Sequence, residues 1–216
     1  MNKNLVIIGN NPFAEIADEY FTYDSPYNVV GFSVERNYIK SAGFLGRRIV
    51  PFDEIENYFP PSYHSIFVTL GYDKMNRDRT RLYLKLKEKG YGIASYISSS
   101  AFVWRNAKIG EHCFVFESNT IQPFVKIGNN VVMWSGNHIG HHTNIGNNCF
   151  ISSHVVISGL CNIGENCFFG VNSTVVDNIN IGAYCFIGAV SNVVKNTIPS
   201  KIYIGNPARI IKKVTI

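Results

Sequence analysis

The chain has 216 residues, 46% of them hydrophobic and 16% charged, which suits one large domain or two small ones with a substantial core. No apolar run approaches the roughly 18 residues that span a bilayer. The apolar run near the N-terminus is too short for a signal peptide, so we expect a cytoplasmic protein.

The net charge of +5 is concentrated at the C-terminal end of the chain. No acidic residue follows Asp177, whereas five basic residues do: Lys195, Lys201, Arg209, Lys212 and Lys213. This pattern is typical either of a solvated tail or of a site for a polyanionic ligand such as a phosphorylated cofactor. Nucleic acid is disfavoured, because the rest of the chain has no basic stripe with interleaved aromatic residues.

Residues 1–96 alternate predicted strands and helices, which is typical of a small parallel, Rossmann-like α/β sheet. The predicted strands are 4–9, 27–35 and 65–71, and the predicted helices are 12–21, 52–59 and 76–90.

Ligands of such sheets bind beyond the carboxyl ends of the strands. Here these ends supply the candidate substrate contacts Gly9, Asn10, Glu35, Arg36, Tyr72 and Asn76. The first strand–helix turn lacks the GxGxxG pattern of dinucleotide sites, so we predict a mononucleotide-type ligand. A purely structural cap with ordinary loops is the alternative.

From Ile97 to Val193, every sixth residue is large and apolar, at seventeen positions without a slip. The pair Ile-Gly recurs every eighteen residues, from Ile109-Gly110 to Ile181-Gly182. A six-residue period suits one short strand and one corner, so three hexapeptides make one triangular coil. The sequence therefore predicts a parallel β-helix of hexapeptide repeats, with other segments capping its two ends.

The five cysteines all lie two residues before a repeat position: Cys113, Cys149, Cys161, Cys167 and Cys185. Other residues in this register are mostly small, such as Ala107, Thr143 and Ser173. We therefore predict that the cysteines are small core residues, and not a zinc site or a set of disulfides.

An α/β domain, an uninterrupted hexapeptide solenoid and a C-terminal "GNPAR" together resemble the left-handed β-helix sugar acyltransferases. The closest likeness is to the bacterial subgroup that N-acetylates nucleotide-linked amino sugars, which is related to the sialic-acid O-acetyltransferases. The resemblance implies a nucleotide-sugar-binding domain at 1–96, a left-handed β-helix at 97–198 and an extension at 199–216 that flanks the CoA site. It also implies a homotrimer with active sites at subunit interfaces.

The resemblance implies direct transfer of an acetyl group from CoA, with a histidine as general base. The family pattern places this base at His141 in "IGHHTNIG", and His142 stands where relatives often carry an acidic residue. The repeat itself supports His141, because the residue one coil further on is Gly159, which leaves space beside the imidazole. The corresponding neighbours of His138 and His142 are Val156 and Leu160.

For acetyl-CoA, the resemblance implies contacts with Gly159, Val171, Gly188 and Ala189 along a groove, and with Arg209 and Lys212 at the phosphates. We expect the thioester oxygen to receive a hydrogen bond from a backbone N–H near Gly159.

A metal site is the rival interpretation of the histidine cluster, in which His138 or His154 would join a neighbour. Adjacent residues on a strand point to opposite sides, so His141 and His142 are not expected to share an ion. We predict no metal, and His138 becomes a candidate substrate contact.

The favoured function is acetyl-CoA-dependent N-acetylation of a UDP- or dTDP-linked 4-amino-4,6-dideoxyhexose for a surface glycan such as O-antigen. O-acetylation of a sugar hydroxyl and a non-catalytic trimeric scaffold are the alternatives.

Overall fold

The computed structural model describes residues 3–214, and these residues form two compact units. The first unit contains the described residues up to Asp73 together with Asp78–Tyr96. The second contains Lys74–Arg77 and the chain from Ile97 onward. The short segment 74–77 therefore packs with the solenoid, although in sequence it lies inside the α/β region.

The first unit is a six-stranded sheet with the strand order β3-β4-β2-β1-β5-β6. Its strands are β1 (Lys3–Ile8), β2 (Tyr27–Val34), β3 (Gly43–Phe44), β4 (Arg47–Pro51), β5 (His64–Val68) and β6 (Gly92–Ile93). Its helices are α1 (Pro12–Tyr23), α2 (Ile55–Tyr58) and α3 (Arg77–Glu88), with 3₁₀ turns at Arg36–Tyr38 and Phe52–Glu54.

The predicted strands and helices of this unit are confirmed. The central strand β1 is a continuous apolar run because both of its faces are buried. Helix α1 begins at Asn11, whose side chain accepts a hydrogen bond from Ala14 N, and Pro12 occupies its first turn.

The sheet is mixed and not purely parallel as predicted, because β3 pairs antiparallel with β4. The two residues between these strands, Leu45 and Gly46, have φ values of 48° and 72°. A pair of left-handed residues is the geometry of the tightest hairpin turn. Strands this short leave no periodic signal in the sequence, which is why the hairpin was not predicted.

The second unit is the predicted left-handed β-helix. Each of the seventeen apolar repeat positions is the second residue of a two-residue strand. These strands are β7 (Tyr96–Ile97), β8 (Phe102–Val103), β9 (Lys108–Ile109), β10 (Phe114–Val115), β11 (Thr120–Ile121), β12 (Lys126–Ile127), β13 (Val132–Met133), β14 (His138–Ile139), β15 (Asn144–Ile145), β16 (Phe150–Ile151), β17 (Val156–Ile157), β18 (Asn162–Ile163), β19 (Phe168–Phe169), β20 (Thr174–Val175), β21 (Asn180–Ile181), β22 (Phe186–Ile187) and β23 (Asn192–Val193).

Every third strand belongs to the same parallel sheet, so each residue lies beside the residue eighteen positions further on. The first solenoid sheet runs from β7 through β10 to β22, the second from β8 to β23, and the third from β9 to β21. One turn of the chain therefore passes through all three sheets and three corners.

The corners share one backbone conformation. Every sixth residue from His112 to Val190 has a positive φ, a region that asparagine and glycine tolerate best. We name the corners by one member each. The His141 corner comprises 105–106, 123–124, 141–142, 159–160, 177–178 and 195–196. The Val171 corner comprises 117–118, 135–136, 153–154, 171–172 and 189–190. The Asn130 corner comprises 111–112, 129–130, 147–148, 165–166 and 183–184.

The glycines of the Ile-Gly repeat are required by the stacking of the coils. A Cβ at Gly164, for example, would lie 2.5 Å from Ala183 N of the next coil. Inside the coils, all five cysteines are fully buried core residues, as predicted. A hydrogen bond with Cys149, together with burial, raises the pKa of the Cys167 thiol well above its ordinary value. The thiol therefore stays protonated and unreactive at neutral pH.

A chain of side-chain hydrogen bonds follows the Asn130 corner. His112 Nδ1 lies 2.8 Å from Asn130 Oδ1, and Asn130 Nδ2 donates to Asn148 Oδ1 at 2.8 Å. Asn148 then donates to Asn166, whose Nδ2 donates to the Met75 carbonyl at 3.0 Å. This ladder joins four successive coils to the 74–77 segment and satisfies polar groups that are largely buried.

Replacing Asn130 by leucine should destabilise the solenoid by about 2–4 kcal/mol, because two hydrogen bonds in a buried network are lost. The left-handed backbone conformation at position 130 should not add to this loss of stability, since Leu160 adopts the same conformation with φ 61°. Urea unfolding monitored by circular dichroism measures the effect. Asn172→Leu is the matched control, because Asn172 has a similar φ of 57° but is exposed. Equal stability of the two variants would contradict a stabilising role for the ladder.

The C-terminal segment leaves the repeat and caps the solenoid, as expected. Strand β24 (Lys201–Ile204) pairs parallel with β22, and β25 (Arg209–Lys213) pairs antiparallel with β24. Residues 196–197 cover the edge of β21 through hydrogen bonds to Asn180 and Gly182. Within residues 3–214, no helix is long and apolar enough to cross a bilayer.

Candidate active site

His141 and His142 occupy the turn between β14 and β15, at the His141 corner. The backbone N–H of His141 donates to Gln122 Oε1 at 2.9 Å, and its carbonyl accepts from Leu160 N at 2.9 Å. Both histidine side chains are exposed. The backbone of this turn is therefore held from the coil on either side, whereas its imidazoles reach solvent.

The His141 imidazole lies against the α-carbon of Gly159. A Cβ at position 159 would be 2.8 Å from His141 Cε1 and 2.9 Å from Nε2. The ring thus occupies the space that any side chain at 159 would need. The eighteen-residue register predicted that His141 and Gly159 lie side by side. Their close contact is the structural reason for glycine at position 159.

His142 contacts both His141 and Phe124. Its Nδ1 is 3.1 Å from His141 Nδ1, and its ring stacks on Phe124 with 4.5 Å between the centroids. The expectation that the two histidines point to opposite sides is wrong, because they lie in a turn and not on a strand. His142 is the left-handed residue of this turn, with φ 58°.

The other histidines of the rival metal hypothesis lie elsewhere. His138 is a half-buried residue of β14, with Thr120 and Val156 as its strand neighbours. His154 lies at the Val171 corner, where its ring packs against Gly136 as His141 packs against Gly159. His154 is therefore not at the His141 corner. Within the described part of the chain, no group of three or more histidine, cysteine or acidic side chains is arranged to hold a metal ion.

The predicted oxyanion donor near Gly159 stays a prediction, and the amides of that turn have the following partners. Gly159 N donates to Asp177 Oδ1 at 2.8 Å. Ser158 N donates to the Val175 carbonyl, and Leu160 N donates to the His141 carbonyl. Backbone pairing between coils thus engages the amides of Ser158 and Leu160, whereas the Gly159 amide donates to the exposed side chain of Asp177.

The predicted CoA contacts do not lie along one groove of a single chain. Gly159 is at the His141 corner, whereas Val171 and Ala189 are exposed at the Val171 corner, across the second solenoid sheet. Gly188 is buried, and a Cβ there would lie 2.7 Å from Ile204 Cγ1. Its lack of a side chain is thus explained by packing beneath β24.

The C-terminal end of the solenoid carries a pocket of about 560 Å³. Its lining includes the predicted contact Arg209, together with Lys195, a residue that the sequence analysis did not single out for this role. Lys195 is in the register of the His141 corner, three coils beyond His141, which places it about 14 Å further along the solenoid axis. Lys212 is exposed near the end of β25 and does not line this pocket.

The strand ends of the first unit bring several predicted substrate contacts together. Gly9 N donates to the Ser33 carbonyl, and a Cβ at Gly9 would collide with Thr69 Oγ1. Asn10 Nδ2 donates to the Tyr38 carbonyl at 2.9 Å. The contacts of Thr69 with Gly9 and of Tyr38 with Asn10 were not predicted. A single buried threonine and a single exposed tyrosine leave no recognisable pattern in the sequence.

Glu35 and Arg36 use their charges in ion pairs within this unit. Glu35 receives two hydrogen bonds from Arg81, at 3.0 and 3.2 Å. Arg36 contacts Asp53 at 2.9 Å and also Glu54, and the Arg36 guanidinium lowers the pKa of Asp53. The positive charge of Arg36 is therefore neutralised by two carboxylates, and Arg36 is not an unpaired cation at a phosphate site.

Tyr72 and Asn76, the last two predicted substrate contacts of the α/β region, belong to different compact units. Tyr72 is exposed in the first unit. Asn76 is buried and belongs to the 74–77 segment of the second unit, where it has a φ of 66°.

The comparison with known proteins begins with one family match. Residues 124–159, which include His141, His142 and Gly159, match the bacterial transferase hexapeptide family (six repeats). No curated protein sequence matches the chain.

Several solved structures are similar over nearly the whole chain. PerB from Caulobacter crescentus, solved with CoA and GDP-perosamine, is 26% identical with a TM-score of 0.87, covering 98% of this chain and 99% of PerB. The acetyltransferase domain of PglB from Neisseria gonorrhoeae FA1090 is 21% identical with a TM-score of 0.86, covering 97% and 100%. WeeI from Acinetobacter baumannii AYE is 16% identical with a TM-score of 0.65, covering 97% and 100%.

The hexapeptide match and the shared fold make this chain similar to the transferases built on a left-handed β-helix. The predicted resemblance to the hexapeptide-repeat sugar acyltransferases is confirmed, as is the predicted kind of enzyme, an acetyltransferase.

Proposed function

We propose that this protein transfers the acetyl group of acetyl-CoA to the amine of a nucleotide-linked amino sugar, with His141 as general base. The observation that carries the proposal is the exposed His141 imidazole, held against Gly159 at a corner of an acetyltransferase solenoid. In the reaction, the amine nitrogen attacks the thioester carbonyl, the C–S bond breaks, and CoA leaves as a thiolate that takes a proton back from the imidazolium. The amine loses one proton to the imidazole as the C–N bond forms.

A neutral imidazole suits this step, because its unprotonated ring nitrogen can accept the amine proton. The cysteines are poor alternatives as acyl-carrying nucleophiles, since their thiols are buried. Direct transfer is therefore favoured over an acyl-enzyme intermediate.

Acetyl-CoA is the proposed acyl donor, and the CoA-bound structures of two similar proteins support this choice. We place its phosphates near the C-terminal pocket, where Lys195 and Arg209 supply positive charge. Lys195 follows the same corner as His141, so an extended pantetheine arm along that corner would join the two sites. Lys212 would contribute from the neighbouring exposed strand.

We further propose that the active protein is a homotrimer. The proposed CoA contacts Val171 and Ala189 lie at a different corner from His141 and Gly159. A neighbouring subunit would bring its own Val171 corner to the His141 corner of the first. Apolar side chains at both corners support such an interface, since Leu160 is 50% exposed and Val190 is 69% exposed.

The nucleotide would bind at the strand ends of the first unit, near Gly9 and Asn10. The candidate sugar is a 4-amino-4,6-dideoxyhexose on UDP or dTDP. The GDP-perosamine bound by PerB adds GDP to the nucleotides to be tested. His138 remains a candidate sugar contact. We assign the reaction to the cytoplasm, where acetyl-CoA and nucleotide sugars are available, and its product to a surface glycan such as O-antigen.

A thiol-release assay with acetyl-CoA tests the function. It is run against UDP-, dTDP- and GDP-linked 4-amino and 3-amino sugars, with the corresponding hydroxyl sugars beside them. Turnover on one amino sugar is the expected result, and mass spectrometry of the product should show one added acetyl group on nitrogen. Turnover on the hydroxyl sugars alone would establish an O-acetyltransferase, and failure to bind acetyl-CoA would favour a scaffold.

A further inference from the structure

The His141 imidazole is fixed by three neighbours. Gly159 lies nearest to its Cε1 and Nε2 atoms, Gln122 accepts the hydrogen bond of its backbone N–H, and His142 Nδ1 lies 3.1 Å from its own Nδ1. The last contact is the only one of the three that involves a ring nitrogen. It therefore has a direct effect on where the His141 proton resides.

We propose that His142 is the positioning residue of the base, through a hydrogen bond from His141 Nδ1–H to His142 Nδ1. This inference rests on the proposed function. The resemblance implies an acidic residue after the base, and the chain has a second imidazole there. A neutral imidazole nitrogen accepts a hydrogen bond as a carboxylate oxygen does, but it brings no negative charge.

The hydrogen bond selects a tautomer. Two neutral imidazoles meeting through Nδ1 share one proton, so one ring donates and the other accepts. When His141 is the donor, its Nε2 carries the lone pair and can remove the amine proton. When His142 is the donor, His141 Nε2 is protonated and cannot act as a base. The proposed assignment is the productive one, and His142 then carries its own proton on Nε2.

His142 is itself held in place by its surroundings. Its ring is nearly parallel to that of Phe124, with 26° between the planes, and it meets the His141 ring at 85°. Phe124 N in turn donates to Asn106 Oδ1 at 3.0 Å. The aromatic contact from the previous coil thus aims the edge of His142 at its neighbour.

The same corner of the solenoid provides the test variants. Phe124 and Leu160 occupy the position of His142 one coil before and one coil after it, with φ values of 65° and 61°. His142→Phe and His142→Leu therefore place in this turn side chains that the fold already accepts there. Neither can accept the hydrogen bond. His142→Glu restores an acceptor.

We expect kcat to fall by about 10- to 100-fold in His142→Phe and His142→Leu, because a misdirected base loses its reactive geometry. KM for acetyl-CoA should change little. His142→Glu should recover most of the lost kcat. Unchanged kcat in both apolar variants would overturn the proposal, as would an equal loss in His142→Glu.

Nitrogen-15 NMR of the histidine rings tests the proposal independently of turnover. In the wild-type protein, the His141 ring should carry its proton on Nδ1, and in His142→Phe it should shift mainly to the Nε2-protonated form. If no sugar is turned over but this tautomer change occurs, the proposed function fails and the positioning role stands. The same tautomer in both proteins would overturn the positioning role even if the enzyme is active.

Discussion

Replacing His141 by alanine should lower kcat by about 10²- to 10⁴-fold, the usual contribution of a positioned general base. The ring is exposed and packs against a glycine, so its removal should leave the coil intact. KM for acetyl-CoA should stay near the wild-type value, since the proposed phosphate contacts lie about three coils away. Steady-state thiol release on the accepted sugar measures both quantities.

His154→Ala is the matched control for that experiment. His154 packs against Gly136 at the Val171 corner in the manner in which His141 packs against Gly159. Both variants remove an exposed imidazole from a left-handed β-helix corner. We expect the control to change kcat by less than about threefold, a difference too small to assign to the chemical step. Comparable losses in the two variants would argue against a specific base at position 141.

The repeat architecture was predictable because the coils stack in a fixed register, so that a fixed sequence spacing gives a fixed spatial contact. A residue and its neighbour eighteen positions on lie side by side in the solenoid, so the sequence alone placed His141 beside Gly159. The same rule explains the small cysteine register and the Ile-Gly period. It fails where the pattern ends, which is why Lys195 and the C-terminal pocket were not identified as a pair.

The errors have local causes. The two adjacent histidines were treated as strand residues, yet every sixth position is a left-handed turn, and a turn brings neighbouring side chains together. The hydrogen bond from Gly159 N to the Asp177 side chain was not foreseen either, because the repeat fixes backbone register and not the direction of an exposed side chain. The predictions for Glu35 and Arg36 as substrate contacts stand untested. The ion pairs of these two residues were not foreseen because their partners are 17 to 46 residues away, and no sequence pattern gives such a distance in a non-repetitive domain.

Gly159→Ala should reduce activity without weakening the fold. The added methyl would meet the His141 ring, at 2.8 Å from Cε1 and 2.9 Å from Nε2. An exposed side chain can rotate away at small cost to stability, but the base then leaves its position. A displacement of about 1 Å is enough to lower the rate by about 10²-fold. Thermal unfolding should remain close to that of the wild type, while kcat falls.

Gly140→Ala is the comparison variant, and we expect it to lower the stability of the fold. Its methyl would lie 2.5 Å from both Gly159 N and Ser158 C, which are backbone atoms of the next coil and have no rotation available. Overpacking of this kind typically costs about 1–3 kcal/mol, so this variant should unfold at lower temperature. Normal turnover by Gly159→Ala would contradict the assignment of the base, because the methyl and the observed imidazole position exclude each other. Reduced turnover in a fully stable Gly159→Ala protein would tie catalysis to the orientation of one ring.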